Sequence, residues 1–393
     1  MTGIVPIYLD YNATAPLLPA ALERIQAALR DYVGNPSSPH AFGQAARDAL
    51  ETARAGVASR LECSRRELTF TSGGSEANNT VFRAVAESPR PAHVITSPIE
   101  HPSILRCCDW LLAQGIAVSY LPVDDQGVAV VDAVEGLLRP ETRLISLMAA
   151  NNETGVIQPL QRLAEIVRHA AGGRPILLHS DAVQAFGRIP LPIFSWGYDA
   201  VTVAAHKLGG PKGIGALALR RPEAVPALIL GGRQERDRRA GTESVALAQG
   251  FLAATEWVWE QGTALAERLA RLRDRLVQRL SAGDGFFLNG AGARRLPNTA
   301  SVGFEGVSAQ SLLVAADLRG VAVSTGSACS SGSMEPSHVL RAMGLVPGRV
   351  EASLRISLGW ATTEPEVERA ADVLLAEADR LRARGQGRRA HGG

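Results

Sequence analysis

The 393-residue sequence is poor in cysteine, and its four thiols do not have the spacing of a disulfide framework or of a paired metal site. The cysteines are Cys63, Cys107, Cys108 and Cys329. We therefore expect reduced thiols and no bound metal. The chain also lacks an excess of charge, since 41 basic and 39 acidic residues are mixed along it. No basic surface for nucleic acid or membrane is predicted.

Long apolar segments are absent as well. No run approaches the roughly 18 residues that a membrane span requires. The first ten residues, MTGIVPIYLD, lack the basic and apolar segments of a secretion signal. These features predict a cytoplasmic protein. The composition, 46% apolar and 20% charged, is sufficient for a large hydrophobic core, and the length indicates two to three domains.

Helical-period segments alternate with short apolar segments from about Pro19 to Gly215. This alternation predicts an α/β fold in which helices flank a mainly parallel sheet. The strand candidates in this region are ELTFTSG, AHVITSPIEH, TRLISLMAA, PILLHSDA, DAVTVAA and GIGALAL. Ligands of open α/β sheets gather at the carboxyl ends of the strands, so a site is expected there.

A long helical stretch from Ser244 to about Ser281 predicts a bridge between domains. The segments after it, among them ASVGFEG, AQSLLVAADLRG and SLRISLGW, indicate a smaller α+β unit. We predict a large domain over residues 16–260 and a small domain formed by residues 1–15 and 261–393.

Lys207 follows an apolar strand candidate and precedes the turn LGGPKG. Burial lowers the pKa of a lysine and makes its amine nucleophilic, which suits a Schiff-base lysine. An exposed lysine in a Gly/Pro turn is the simpler interpretation of this motif alone. Upstream, Asp181 ends another apolar strand candidate, and Gln184 follows it. An acid there could pair with a pyridine nitrogen, although a helix cap or an Asx turn is the alternative.

The segment Thr71 to Glu76, TSGGSE, opens a helical stretch. Its backbone N–H groups and the helix dipole could bind a phosphate, or Ser75 could simply belong to a helix cap. His101 stands where a strand candidate gives way to a helix and could cover a flat cofactor and transfer protons, or be structural. Cys329 lies in the small-residue segment STGSACSSGS, which suits a thiol that moves to a substrate, or a surface cysteine without a role.

Taken together, the motifs resemble the fold-type-I pyridoxal-phosphate enzymes, and specifically the cysteine desulfurases of the NifS/IscS kind. The resemblance covers almost the whole chain. Its motifs are YLDYNATAPL, GNPSSPHAFG, TSGGSEANN, IEHPSI, NNETG, DAVQ, HKLGGPKGIGAL, QERDRRAGTES, GSACSSGSMEPSHVLRAMG and LRISLG. The family implies a large domain with a mainly parallel seven-stranded sheet between helices, a smaller α+β domain, pyridoxal 5′-phosphate as cofactor and a homodimer. The long cysteine segment resembles the extended-loop branch of the family.

The resemblance also implies a role for each matching residue. Lys207, Cys329 and His101 would be catalytic, with Cys329 receiving sulfur from L-cysteine. The phosphate would be held by Gly74, Ser75, His206 and, from the other subunit, Thr242. The ring would be held by Asn152, Gln184, Asp181 and His101, and the substrate carboxylate by Asn35 and Arg355. The sulfur would continue to an acceptor protein such as an iron–sulfur cluster scaffold.

Three positions depart from the family pattern. Ala204 replaces a Ser or Thr that would donate a hydroxyl to the phosphate, and Thr202, two residues earlier on the same strand face, could compensate. Trp360 replaces a second arginine, and Arg233 interrupts a glycine-rich segment; both substitutions are expected to concern packing and the dimer. Two other functions remain open at this point: a different fold-type-I enzyme, such as a selenocysteine lyase or an aminotransferase, and a non-catalytic sulfur-relay scaffold.

Overall fold

The computed structural model describes residues 6–326 and 336–390. Its strands are β1 (Ile7–Tyr8), β2 (Leu68–Thr71), β3 (His93–Thr96), β4 (Ala117–Tyr120), β5 (Thr142–Ser146), β6 (Leu177–Asp181), β7 (Ala200–Ala204), β8 (Gly215–Leu219), β9 (Phe286–Leu288), β10 (Thr299–Phe304), β11 (Val321–Ala322) and β12 (Ser353–Ser357). The six strand candidates between residues 67 and 219 each contain one of these strands. The sequence patterns did not point to β4.

The helices alternate with these strands in the expected order. They are α1 (Pro19–Asp31), α2 (Ala41–Arg60), α3 (Gly74–Ala86), α4 (Pro102–Ala113), α5 (Val134–Leu137), α6 (Leu160–Ala170), α7 (Gln234–Asp237), α8 (Val245–Leu280), α9 (Ala309–Leu318), α10 (His338–Ala342), α11 (Pro347–Glu351) and α12 (Glu364–Ala390). None of these described helices combines the length and the apolar character needed to cross a membrane.

Within the described residues, seven strands form the main sheet in the order β2-β8-β7-β6-β5-β3-β4. Strand β8 runs antiparallel to β2 and β7, and the other neighbouring pairs are parallel. The residues of β2, β3, β7 and β8 are all buried, as expected for strands covered by helices on both faces. The mainly parallel seven-stranded sheet implied by the resemblance is confirmed.

Two smaller sheets lie outside the main one in the described part of the chain. Strands β12, β10 and β9 form an antiparallel sheet in that order, and β1 pairs with β11 in parallel. The strands of these two sheets come from the C-terminal third of the chain and from its N-terminal segment.

Helix α8 contributes to two separate hydrophobic cores. Its first half, including Phe251, packs in the core around the main sheet, and its second half, including Leu276, packs in a core with β10, β12 and α12. Gly262 separates the two halves with φ of 55°, a left-handed conformation that glycine adopts without strain. We propose that the domain division at residues 1–15 and 261–393 follows these two cores.

Candidate active site

A cavity of about 240 Å³ lies at the carboxyl ends of β6 and β7, beside the start of α3. The residues that line it include nine of the predicted site residues: Gly74, Ser75, His101, Asn152, Asp181, Gln184, His206, Lys207 and Arg355. These residues come from distant parts of the sequence. Arg355 lies on β12 of a smaller sheet, and the others follow strands that end at the same edge of the main sheet.

Lys207 ends the short turn Ala205–Lys207 that follows β7. Its Nζ donates to the carbonyl oxygens of Asn12 at 2.6 Å and Ala13 at 2.8 Å. The lysine is half-buried and faces the cavity, so it is not the exposed turn lysine of the simpler interpretation. An amine held in this way can reach a carbonyl compound bound in the cavity.

Asp181 is the last residue of β6 and is buried. Its Oδ2 accepts from Asn78 Nδ2 at 2.8 Å, and its Oδ1 accepts from the Val183 N–H at 3.0 Å. The second bond is the Asx turn considered as an alternative. Asp181 also lines the cavity, so the Asx turn does not exclude a role in ligand binding.

His101 caps the N-terminus of α4, and its Nδ1 accepts from the Ser103 N–H at 3.2 Å. The neutral ring therefore carries its proton on Nε2. Burial lowers the pKa of His101 below its ordinary value; the Asp181 carboxylate raises it, and the charges of Lys207 and His338 lower it further. With its proton on Nε2, a neutral imidazole in the wall of the cavity can donate a hydrogen bond and also lie against a flat ring.

The predicted phosphate site is at the junction of β2 and α3. Helix α3 begins at Gly74, whose backbone passes so close to Val183 that a Cβ would lie 2.9 Å from that side chain. His206 lies in the same cavity, and burial, together with the charges of Lys207 and other cations, lowers its pKa to about 3. His206 is therefore a neutral hydrogen-bonding group at this end of the cavity.

Thr202 does not supply the hydroxyl that Ala204 lacks. Its Oγ1 bonds the buried His179 Nε2 at 3.0 Å, and Ala204 but not Thr202 is among the residues that line the cavity. Trp360 has a packing role, since its ring contacts Trp257 and its Nε1 donates to the Pro16 carbonyl.

Arg355 lies on β12, and its side chain is almost fully buried. Its Nη2 donates to Asp10 Oδ1 at 2.7 Å, and its Nη1 donates to the Asn152 carbonyl at 3.2 Å. Its buried Nε has no hydrogen-bond partner among the described residues. An unpaired guanidinium N–H at the cavity is suited to an anionic ligand.

Two predicted residues, Asn35 and Thr242, are not part of this cavity, and a third is not among the described residues. Asn35 is exposed, and its Oδ1 accepts from the Ser37 N–H at 2.8 Å. Thr242 is also exposed and lines a separate cavity next to Thr71. Cys329 lies outside the described residues. Their predicted roles therefore rest on the resemblance alone.

Other residues of the site were not assigned a role from the sequence. Asn78 holds Asp181 and also donates to Ser103 Oγ at 2.9 Å. The backbone oxygen of Asn12 accepts from Lys207 and from Gln184 Nε2, and its side chain joins the same network. Both asparagines stand within motifs of the resemblance, but only their buried positions show that they hold other side chains in place.

Comparison with known proteins places the chain in a family. The family model described as aminotransferase class-V matches residues 7–370. The chain belongs to this family. A protein named cysteine desulfurase from Trichormus azollae is 42% identical over 379 residues, which cover 96% of this chain and 94% of the relative.

Solved structures agree with this assignment. A NifS-like protein superposes with a TM-score of 0.90 at 35% identity. The match covers 96% of this chain and 100% of the NifS-like chain. SspA in complex with cysteine has a TM-score of 0.79 at 31% identity, covering 90% of this chain and 98% of its own. The chain thus has the fold and family of the NifS/IscS cysteine desulfurases, and a lyase, an aminotransferase or a scaffold is not favoured.

The cofactor of this family is pyridoxal 5′-phosphate, and the residues of the cavity fit it. One cavity contains an amine, a carboxylate, a helix N-terminus and the unpaired Nε of Arg355. These groups suit an aldehyde, a pyridine nitrogen, a phosphate and an anionic substrate group respectively. Within residues 6–326 and 336–390, no group of three or more His, Cys, Asp or Glu side chains is arranged to bind a metal.

Proposed function

We propose that this chain converts L-cysteine to L-alanine and transfers the sulfur to Cys329 as a persulfide. The observation that carries the proposal is the convergence of Lys207, Asp181, His101 and Arg355 on one cavity in a member of this family. The 42% identical relative named cysteine desulfurase and the structural neighbour that binds cysteine support the choice of substrate.

Different residues around the cavity would bind different parts of the cofactor. Gly74, Ser75 and His206 would hold its phosphate, since they combine a helix N-terminus with a neutral imidazole. Asp181 would pair with the pyridine nitrogen, and Asn152 and Gln184 would position the ring. When bound, the cofactor supplies an electron sink for the negative charge that develops on the substrate α-carbon.

Arg355 would bind the substrate carboxylate through its Nε and the remaining guanidinium N–H groups, with Asn35 as a second contact. Lys207 would attach the cofactor and, once displaced by the substrate amine, remove the α-proton. His101 would lie against the ring and transfer protons, starting from the neutral imidazole that its lowered pKa favours.

The thiolate of Cys329 would then attack the sulfur of the bound substrate. An S–S bond forms on Cys329 while the substrate C–S bond breaks, and the electron pair of that bond stays with carbon. Protonation of this carbon gives the methyl group of alanine. Cysteine and the Cys329 thiol thus become alanine and a Cys329 persulfide, without an external oxidant.

The assembly and pathway of the protein are also proposals. A homodimer would allow the exposed Thr242 to reach the phosphate of the partner subunit. The persulfide would pass to an acceptor protein such as an iron–sulfur cluster scaffold in the cytoplasm. Light scattering tests the dimer, and a fully active monomer would contradict it.

The desulfurase proposal is tested by incubating the cofactor-loaded protein with L-cysteine and a thiol reductant. We expect alanine and sulfide in equal amounts. Without reductant, mass spectrometry should find the peptide that contains Cys329 heavier by one sulfur atom. L-Serine, which differs from the substrate only at this atom, is the matched control and should give no alanine. Alanine formation without sulfur on Cys329 would exclude the mechanism.

A further inference from the structure

Arg188 lies behind the wall of the cavity and connects three segments that form the site. It is half-buried and is not one of the residues that line the cavity. Its Nη1 donates to Gln184 Oε1 at 2.5 Å and to Asn12 Oδ1 at 3.0 Å, and its Nη2 donates to the Lys207 carbonyl oxygen at 3.2 Å. One guanidinium thus holds residues that follow β1, β6 and β7.

These contacts determine which way the Gln184 amide points. A guanidinium has N–H donors and no acceptor, so the Gln184 atom that it contacts must be the oxygen. The other end of the amide donates to the Asn12 carbonyl, which can only accept, at 3.0 Å. Two independent partners therefore require the same orientation. The Gln184 nitrogen has a second N–H, and the residue lines the cavity.

The charge of Arg188 has no counterpart among the described residues. Its hydrogen-bond partners are neutral amide and carbonyl oxygens, and the ion pairs in the described part of the chain do not include it. Burial and the nearby charge of Arg355 lower the pKa of Arg188 to about 10, which leaves it charged at neutral pH. A cation in this position stabilises negative charge on a neighbouring group.

We propose that Arg188 is a positioning residue for the cofactor ring oxygen: it fixes the Gln184 amide with its N–H available to that oxygen and adds a positive charge behind it. This inference rests on the proposed function, because it requires the ring to be next to Gln184. Arg188 acts through Gln184 and is not a catalytic residue.

The experiment is a pH titration of the visible absorbance of the cofactor-loaded protein before substrate is added. A hydrogen-bond donor and a cation beside the ring oxygen favour the deprotonated form of the bound chromophore. Arg188→Met removes the positive charge and one of the two partners that fix the Gln184 amide, and it should raise the pH midpoint of the titration by about one unit or more. Arg162→Met, at an exposed ion pair with Asp132, is the matched control and should titrate like the wild type.

A double-mutant cycle tests whether Arg188 acts through Gln184. In a Gln184→Ala background, Arg188→Met should produce a clearly smaller shift than in the wild type. An equal shift in both backgrounds, or an unchanged midpoint in Arg188→Met, would overturn the proposal. If Arg188→Met does not fold, Arg188→Gln removes the charge but retains an N–H donor, and its midpoint must still rise.

The absorbance titration does not depend on turnover, so the two proposals fail separately. Wild-type protein that binds the cofactor but releases no sulfur from L-cysteine would contradict the proposed function alone. Normal wild-type turnover with an unchanged midpoint in the Arg188 variants would contradict only the role of Arg188.

Discussion

Arg355 and Asp10 form an ion pair with 2.7 Å between Nη2 and Oδ1, although they stand near opposite ends of the chain. The pair fixes the guanidinium of Arg355 against the N-terminal segment that also carries Asn12. Because the Asp10 carboxylate already holds Nη2, a substrate carboxylate must bind through the remaining N–H groups of Arg355. The planar guanidinium allows both carboxylates to be bound at once in a fixed geometry.

Arg355→Lys should therefore raise KM for L-cysteine by about tenfold or more, equivalent to roughly 1.4 kcal/mol, because an ammonium group cannot bind Asp10 and the substrate in the same fixed geometry. Steady-state kinetics would measure the change. Arg106→Lys, at an exposed position, is the control. An unchanged KM in Arg355→Lys would place the substrate carboxylate elsewhere.

Lys207→Ala should abolish covalent attachment of the cofactor. The sequence contains only two lysines, Lys207 and Lys212, so the assignment has one competing side chain. Borohydride reduction followed by peptide mapping should find the adduct on Lys207 in the wild type and in Lys212→Ala. A reducible adduct that persists in Lys207→Ala would identify Lys212 as the attachment site.

Cys329→Ser should retain the cofactor and its spectral response to L-cysteine but lose sulfur transfer, because a hydroxyl does not replace a thiolate nucleophile. The other thiols are poorly suited to sulfur transfer, because burial raises the pKa of Cys107 to about 11 and that of Cys63 and Cys108 to about 12. Cys107→Ala and Cys108→Ala should keep their activity. Wild-type persulfide formation in Cys329→Ser would favour a lyase without a protein thiol.

Stability should decrease in mild acid because His179 is buried in its neutral form. Burial lowers its pKa from 6.5 to about 3, so below pH 6.5 the unfolded chain binds more protons than the folded one. The free energy of unfolding should fall between these values by about 1.4 kcal/mol per pH unit for this group. Urea unfolding at about pH 7 and about pH 5 measures it, and His179→Asn should show a smaller difference. If the free energy of unfolding falls equally in the wild type and in His179→Asn, the protonation of His179 is not the cause.

The buried pair of Arg54 and Glu235 should support the segment that carries Thr242. Their side chains are each 2% exposed, and Glu235 also accepts from the Phe70 N–H. Arg54→Met leaves a buried carboxylate without its partner and should destabilise the fold by about 3 kcal/mol. Glu235→Leu in the same protein should restore part of this loss. Urea unfolding of the single and the double variant measures these free energies. A loss in Arg54→Met well below about 3 kcal/mol would contradict the prediction.

The sequence was sufficient for the main sheet because its strands are short apolar runs bounded by Gly, Pro, Asn or Asp. The exception, β4, has partly exposed residues and lacks that apolar character. Among site residues, those that end a strand or open a helix, such as Lys207, Asp181 and Gly74, could be placed from local patterns. Asn12, Asn78 and Arg188 could not, because they act through contacts with residues that are distant in the sequence.

Strand β8 fixes the spacing between the turn that contains Lys207 and the segment that opens α3. It lies between β2 and β7, so the chain that leaves Lys207 returns directly beside the segment that opens α3. At Gly215 a Cβ would lie 2.7 Å from the Val203 carbonyl oxygen and 2.8 Å from the Gly73 backbone. The distance between the turn that contains Lys207 and the segment that opens α3 therefore depends on the absence of a side chain at Gly215. Even a single methyl group at position 215 would displace one relative to the other.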